Sequence, residues 1–455
     1  MPDFLIVIFA VVFVLGVAIN IHEFGHFIVA RLLGMRVEAY SFFGIGPRIW
    51  GVKKGHTDYR ISAIPLGAYV KLYGDEATSS LEGGSSEGEE VPESELYELR
   101  PRWQKFLVML GGPFMNIVLA LAIPFTIALV QGVPSVPSPI VGFVKAGGAA
   151  AQAGIKPGDR IVAFDGVKDP TWQTVEENTL LLPGIKTPLT VERDGKRVDL
   201  TVTPAKVEQD GNTLGTLEAI PDTGVEPVII AGIQQGMPAA EADLKPGDRI
   251  TSVNGKAIKN GLQMKSIVNE AKDSPITLVI NRNGESKEVQ THAKKTEGGD
   301  YLIGIGFDSS LSTTRDAVGI AGAANYAFEA NWRILRLTGK AFGQMFSGER
   351  SIKEGGIAGP VGIVQIIAKM VRDFGFAGLF PILMVISLNL GIFNLLPIPM
   401  LDGGQIAVLG IEGLLAWFGM TLSMAVKEKI QLAGLAIILL LMVVVMYFDI
   451  SRLIG

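Results

Sequence analysis

The chain contains no cysteine. That excludes disulfide bridges and thiolate metal ligands, and it leaves the compartment open. Histidine is nearly as scarce, at four residues, so imidazole chemistry must be concentrated in a few places. Positive charge is not in excess either: 40 Lys and Arg stand against 45 Asp and Glu, a net charge of −5, which gives no electrostatic footprint for nucleic acid. Nothing basic precedes the first apolar run, where only Met1, Pro2 and Asp3 stand, and no small-residue cleavage site follows it. The run is therefore expected to be a retained span rather than a secretory signal. Apolar residues, by contrast, are abundant. They make up 48% of 455 residues, with a mean hydropathy of +0.37. That is high for a soluble protein and low for one made of spans alone, so membrane segments combined with soluble modules are expected.

Four apolar stretches are long enough to cross a bilayer, at about Phe4–Ala30, Phe106–Val130, Phe374–Leu396 and Gln431–Phe448. Trp103 and Tyr447 stand near span ends, where interfacial aromatics collect. The segment between the first two spans is rich in Lys and Arg, from Arg31 to Lys105, and Lys427 and Lys429 follow the third. The positive-inside rule then puts Arg31–Lys105 and Pro397–Lys429 in the cytoplasm, with both termini and Gln131–Asp373 on the other side. Asp75–Glu95, rich in Ser, Gly and Glu, reads as a disordered linker. Ala317–Phe346 has apolar residues at helical spacing, interrupted by Arg333, Arg336 and Lys340. It reads as an amphipathic helix, lying on the outer membrane surface or packed on the second of two small domains expected before it, at 221–308.

The long region between the second and third spans contains a repeat. Lys156-Pro157-Gly158-Asp159-Arg160-Ile161 recurs 89 residues later as Lys245-Pro246-Gly247-Asp248-Arg249-Ile250. Asp165-Gly166 matches Asn254-Gly255 at the same offset. Pro-Gly-Asp makes a turn, the apolar run after it a strand, and Asp-Gly or Asn-Gly a tight hairpin turn. A repeat of this length is a small domain rather than a solenoid unit. The pattern resembles the PDZ domains of bacterial envelope proteases, expected here at 133–220 and 221–308.

The chemistry is concentrated in His22-Glu23-Phe24-Gly25-His26. On a helix, residues four apart share a face, so His22 and His26 can bind one zinc ion. Glu23 beside them can take a proton from the attacking water. Ionisable groups inside an apolar span are costly and usually functional. His22 lies about 20 residues into its span, roughly 30 Å along a helix, so the site is expected toward the cytoplasmic side. A catalytic zinc usually has three protein ligands. At the matching end of the third span, Pro397 and Pro399 break the helix and Asp402-Gly403 is expected to make a turn that points a carboxylate inward. Asp402 is the third expected ligand. His56 and His292 lie in soluble segments and are not expected to take part. A non-catalytic membrane scaffold and a zinc transporter are the rival readings. The complete set His22, Glu23, His26 and Asp402 speaks against the first, and the clustering of polar residues at one depth against the second.

H-E-x-x-H in a first span with Asn394-Leu395-Leu396-Pro397-Ile398-Pro399-Met400-Leu401-Asp402-Gly403 near a later one resembles the site-2 protease family of intramembrane zinc metalloproteases, in the branch with two PDZ domains. The resemblance covers essentially the whole chain. Gly111-Gly112-Pro113-Phe114-Met115-Asn116 also looks like a signature of the family, although close helix packing would by itself account for its glycines. The resemblance implies a polytopic α-helical membrane protein: four transmembrane helices and a membrane-reentrant β-hairpin over Val37–Leu72, with two inserted α+β PDZ domains. Domains are expected at 1–132, 133–220, 221–308, 309–373 (an extracytoplasmic gate region that includes Gly359-Pro360-Val361-Gly362) and 374–455. It implies one Zn2+ per chain and a place in the bacterial inner membrane with periplasmic PDZ domains. The implied substrate is a single-pass protein, an anti-sigma factor already cut once in the envelope stress response, with remnant signal peptides as a further class. Tyr40, Phe43, Gly44, Gly46 and Tyr69 of the hairpin, with Asn389 and Asn394, would then contact substrate. For the two asparagines, capping of the broken third helix is an equal rival. The PDZ pair would filter substrates by size, and peptide termini are further candidate ligands of its grooves.

Overall fold

The computed structural model describes residues 3–42, 44–64, 67–74, 91–209, 212–222, 228–234, 236–295, 301–307, 315–348 and 359–454. Phe43, most of the Asp75–Glu95 stretch and 355–358 lie outside them. The chain divides into two compact units, Met1–Val133 with Ala317–Gly455, and Pro134–Asp316.

The first unit is built on helices whose side chains are apolar nearly all round. Helix α1 (Asp3–Leu32) and α2 (Arg102–Gln131) have 30 residues each, about 45 Å, which exceeds the hydrocarbon thickness of a bilayer. Helix α2 begins after Pro101, where a missing N–H costs nothing, and ends at Gly132 with φ +80°. The two helices cross where Gly25 and Gly111 put main chain against main chain; a Cβ on either would collide with the carbonyl group of the other.

Between α1 and α2, Val37–Leu72 folds as a four-stranded sheet rather than one hairpin. Strands β1 (Val37–Phe42), β2 (Ile45–Lys54), β3 (Thr57–Ile64) and β4 (Tyr69–Leu72) run in the order β2-β3-β1-β4. The tight β2–β3 connection makes an antiparallel pair, whereas β1 runs parallel to β3 and antiparallel to β4. Tyr40 of β1 stacks on Phe27 of α1 at 5.0 Å, so the sheet packs onto the first helix and β4 is left as an edge strand. The return segment is pinned by Arg36–Glu95 at 2.6 Å and by Arg100 donating to the Gly34 carbonyl at 2.6 Å.

In the C-terminal half, α3 (Ile320–Ser347) is amphipathic, as its spacing predicts. Its alanine face (Ala323, Ala327, Ala330) is buried, and Asn331 donates to the Ala120 carbonyl halfway along α2. Phe342 meets Phe393. The helix bundle itself therefore holds this segment, because small residues let the two backbones approach. The third apolar stretch starts earlier than its hydropathy suggests. Helix α4 (Pro360–Phe374) leads through one 3-10 turn, Gly375–Gly378, into α5 (Leu379–Asn394). Lys369, Arg372 and Asp373 mask α4 in a hydropathy profile, and Gly375 at φ +62° marks the break. Helix α6 (Asp402–Trp417), not expected from the sequence, precedes α7 (Met424–Ile454). Among the described residues, four segments are long and apolar enough to cross a membrane: Phe4–Leu32, Arg102–Gln131, Pro360–Asn394 and Ala425–Ser451.

The second unit carries the repeat as two modules, each with its own core. Ile161, Phe164, Val175, Leu189 and Val191 are buried in one, and Ile250, Met264, Ile276, Leu278 and Ile280 in the other. Asp165-Gly166 and Asn254-Gly255 both have positive φ at the two turn positions and close two-residue hairpins. A second symmetry links the modules. Asp159, 1% exposed, accepts from Arg193 at 2.6 and 2.7 Å. Asp248, also 1% exposed, accepts from Arg282 at 2.6 and 2.7 Å. Lys156 and Lys245 each donate a main-chain N–H to the same carboxylates at 2.8 Å.

Burial alone would push the Asp159 carboxyl up, but Arg193 and the Lys156 N–H hold it below the usual range. At Asp248 the Arg282 bond dominates and lowers it. A depressed folded value means that this stabilisation is complete above about pH 3.9, the unfolded value, and is lost as pH falls through the folded one. Asp159→Asn is expected to cost about 2 kcal/mol at neutral pH and to flatten the acid dependence of the first module. The reporter is Trp172, 2% exposed, whereas the other four tryptophans are more than half exposed. An unchanged acid midpoint in its fluorescence would show that the pairing contributes nothing.

Candidate metal centre

Helix α1 places His22 and His26 on one face, both buried. His26 Nδ1 lies 2.7 Å from the Val108 carbonyl oxygen. That oxygen can only accept, so Nδ1 carries the proton and Nε2 points inward with a free lone pair. His22 Nδ1 lies 3.2 Å from the Asn116 side-chain amide on α2. Behind the two rings runs the main chain of Gly112. A Cβ there would sit 2.8 Å from His22 Nε2 and closer still to His26 Nε2, so the glycine makes room for the imidazoles as Gly25 and Gly111 make room for the helices.

The carboxylate comes from the opposite side. Helix α5 ends at Asn394, and Leu395–Leu401 runs irregularly past Pro397 and Pro399 to Met400, which has φ +79°. Asp402 is then the first residue of α6, with Leu401 as its N-cap. The expected turn is thus a helix start, where backbone N–H groups favour a carboxylate. Gly403 and Gly404 pack their Cα atoms against the carbonyls of Leu395 and Ile398, which folds the irregular stretch back on itself and aims Asp402 at α1.

His22 Nε2 is 3.2 Å from His26 Nε2. Asp402 Oδ2 is 3.1 Å from His22 Nε2, and Oδ1 is 3.5 Å from His26 Nε2. Zinc bonds of about 2.0–2.1 Å in a tetrahedron require ligand atoms about 3.3 Å apart. The spacing fits. Asp402 Oδ2 is buried with no hydrogen-bond donor beyond the two imidazoles, so a cation held between the three groups would satisfy it. Among the described residues this is the one group of three or more His, Asp and Glu placed to hold a metal.

A cavity of about 320 Å3 opens beside these atoms, lined by Glu23, Tyr69, Val70, Asn394, Gln405 and neighbours. The Val70 main-chain N–H of edge strand β4 faces the Glu23 carboxylate. The Asn394 amide nitrogen is 3.4 Å from His22 Nε2. The other sequence candidates are placed elsewhere. Tyr40 packs on Phe27 and donates to the Asn20 carbonyl at 3.3 Å, the Gly44 carbonyl accepts from Ser41, and Asn389, Gly44 and Gly46 are not part of the cavity lining. Sequence reasoning missed Gln405, Ser387 and the contact of Asn116 with His22. Only Asn116 carried a signal, as a lone amide in an apolar span.

The model of peptidase family M50 matches residues 10–441. Regulator of sigma-E protease RseP of Escherichia coli strain K12 is 31% identical, over 96% of this chain and 97% of its own length. A protein named as a candidate zinc metalloprotease from Vibrio cholerae serotype O1 is 30% identical over the full length of both. Among solved structures, the PDZ domain of the SdrC-like protein from Listeria monocytogenes is 20% identical and covers 20% of this chain and 95% of its own, with a TM-score of 0.18. The chain belongs to peptidase family M50, the site-2 proteases. It is a zinc metalloprotease, and a membrane protein by its four apolar helices.

Proposed function

We propose that the chain holds one zinc ion through His22, His26 and Asp402 and hydrolyses peptide bonds within transmembrane segments. The convergence of three acceptor groups at tetrahedral spacing, beside a carboxylate and a strand edge, carries this reading. When bound, zinc supplies Lewis acidity for the scissile carbonyl and for a water molecule. Glu23 accepts the proton of the attacking water and returns it to the leaving nitrogen. Asn394 donates to the developing oxyanion or to the substrate main chain. A transmembrane helix hides its peptide groups, so the substrate must first unwind. Strand β4, with Tyr69 in the cavity wall, offers an edge on which the unwound strand can pair.

The sheet is read as membrane-reentrant, supported by the exposed Ile49, Trp50 and Val52 of β2. Lys and Arg between the first two spans support a cytoplasmic side for the site, with both termini and the inserted unit on the periplasmic face of the inner membrane. The two module cores support tandem PDZ domains at 133–220 and 221–308; the pair is read as a size filter, and 309–373 as the gate region. The likeness to the Escherichia coli regulator of sigma-E protease supports a role in the sigma-E response, with a single-pass anti-sigma factor, already shortened by a first cut, as substrate.

The test is made on purified full-length protein with a single-pass model substrate. A zinc chelator is expected to abolish cleavage, and about one equivalent of zinc per chain to restore it. Cleavage that survives complete metal removal would overturn the reading.

A further inference from the structure

We propose that Asn116 is a positioning residue that selects the His22 tautomer with a free Nε2, and that Ser387 sets the Asn116 amide in the orientation this needs. The inference rests on the reading of His22 as a zinc ligand. A histidine binds through Nε2 only when its proton sits on Nδ1, and the partner of Nδ1 decides this. For His26 that partner is the Val108 carbonyl, which cannot donate. For His22 it is the Asn116 amide, whose two ends have opposite chemistry. With the amide nitrogen toward Nδ1, the proton is forced onto Nε2 and the ligand atom is blocked. With Oδ1 toward Nδ1, Nε2 is free.

An amide presents its oxygen and nitrogen at nearly equivalent positions, so its neighbours determine which faces which. On the far side of Asn116 stands Ser387 of α5. As assigned in the structure, the amide nitrogen lies toward His22 Nδ1 and Oδ1 toward Ser387, whose hydroxyl is 2.9 Å from the Asn116 main-chain oxygen and 3.3 Å from Oδ1. A hydroxyl has one proton, and the shorter bond, to the main-chain oxygen, takes it. Ser387 Oγ then offers only lone pairs to the side chain, so the amide nitrogen belongs on the Ser387 side and Oδ1 on the His22 side. That orientation turns an opposition of lone pairs into a hydrogen bond at Ser387 and gives His22 Nδ1–H an acceptor. Asn116 and Ser387 are both fully buried, at 0% exposure, and this arrangement satisfies both side chains. The contact is made where Gly391 of α5 faces Pro113 and Asn116 of α2.

The test measures zinc affinity of the full chain by competition with a chromophoric chelator, alongside the thermal transition of the metal-free protein. Asn116→Leu, close in size but unable to accept, is expected to weaken zinc binding about 10- to 100-fold with the metal-free transition little changed. Asn116→Asp, which can only accept, is expected to bind zinc as tightly as wild type or tighter. Ser387→Ala, which frees the amide to turn, is expected to weaken binding less than Asn116→Leu does. Wild-type affinity in Asn116→Leu would overturn the inference, and so would a loss in Asn116→Asp as large as in Asn116→Leu. Should the leucine variant not fold, the aspartate and alanine variants still decide: weakened binding in the first, or wild-type affinity in the second, overturns it. A His22→Ala variant that keeps its zinc would instead sink the ligand assignment beneath it.

Discussion

Glu23→Gln is expected to lower the rate of peptide cleavage roughly 10^2- to 10^4-fold while zinc content stays at one equivalent. The two halves of that result come from different atoms. Zinc content depends on His22, His26 and Asp402, which lie within 4.8 Å of one another, and Glu23 is not in that set. It lines the adjoining cavity and faces the Val70 N–H. Glutamine keeps the size of the side chain and an oxygen for that N–H, so the edge of β4 and the helix face should be undisturbed. What it loses is the capacity to take a proton from water and hand it on. Cleavage of a single-pass substrate and zinc content, measured on the same preparation, check the prediction. Activity within a few-fold of wild type would move the base to another group, and loss of the metal together with activity would mean that Glu23 holds the site together rather than acting on the water.

The parts of this structure legible in the sequence are those whose signal is local. His22 and His26 share a helix face because of a four-residue spacing, and the Pro-Gly-Asp and Asn-Gly turns depend on two or three residues each. The α1 and α2 stretches are apolar over most of their length and declare it. What was hidden depends on partners far along the chain. The third span was cut short because charges on α4 mask it. The four-stranded sheet looked like one hairpin because β1 pairs in parallel with β3, and no turn announces a parallel pairing. Arg193 and Arg282 carry the same 89-residue offset as the Lys-Pro-Gly-Asp repeat, so a search beyond the motif would have found them. Asn116 stood in a visible motif, but its meaning needs His22 and Ser387, 94 and 271 residues away. For the glycines beside it, close helix packing is one of the two readings the sequence allows. For Gly111 that describes what the structure shows, and for Gly112 it misses the imidazoles.

That distinction gives the second large effect. Gly112→Ala is expected to lose zinc affinity by at least about 100-fold, and cleavage with it, in a protein that folds as well as wild type. A Cβ at this position points at the Nε2 atoms of His22 and His26, the latter the nearer. Those are the outer ends of side chains, and they can swing aside where a backbone could not. The helices therefore keep their packing and the imidazoles give way. Alanine is also the better helix former, by about 1 kcal/mol in an exposed helix, so nothing in α2 opposes the change. The expected signature is a metal-free thermal transition equal to or above that of wild type, combined with a zinc content near zero. A substitution that damaged helix packing would instead lower the transition and the zinc content together. If Gly112→Ala retained both zinc and activity, α2 could not run as close behind the two histidines as it does here. The second helix would then be a neighbour of the metal site and not one of its walls.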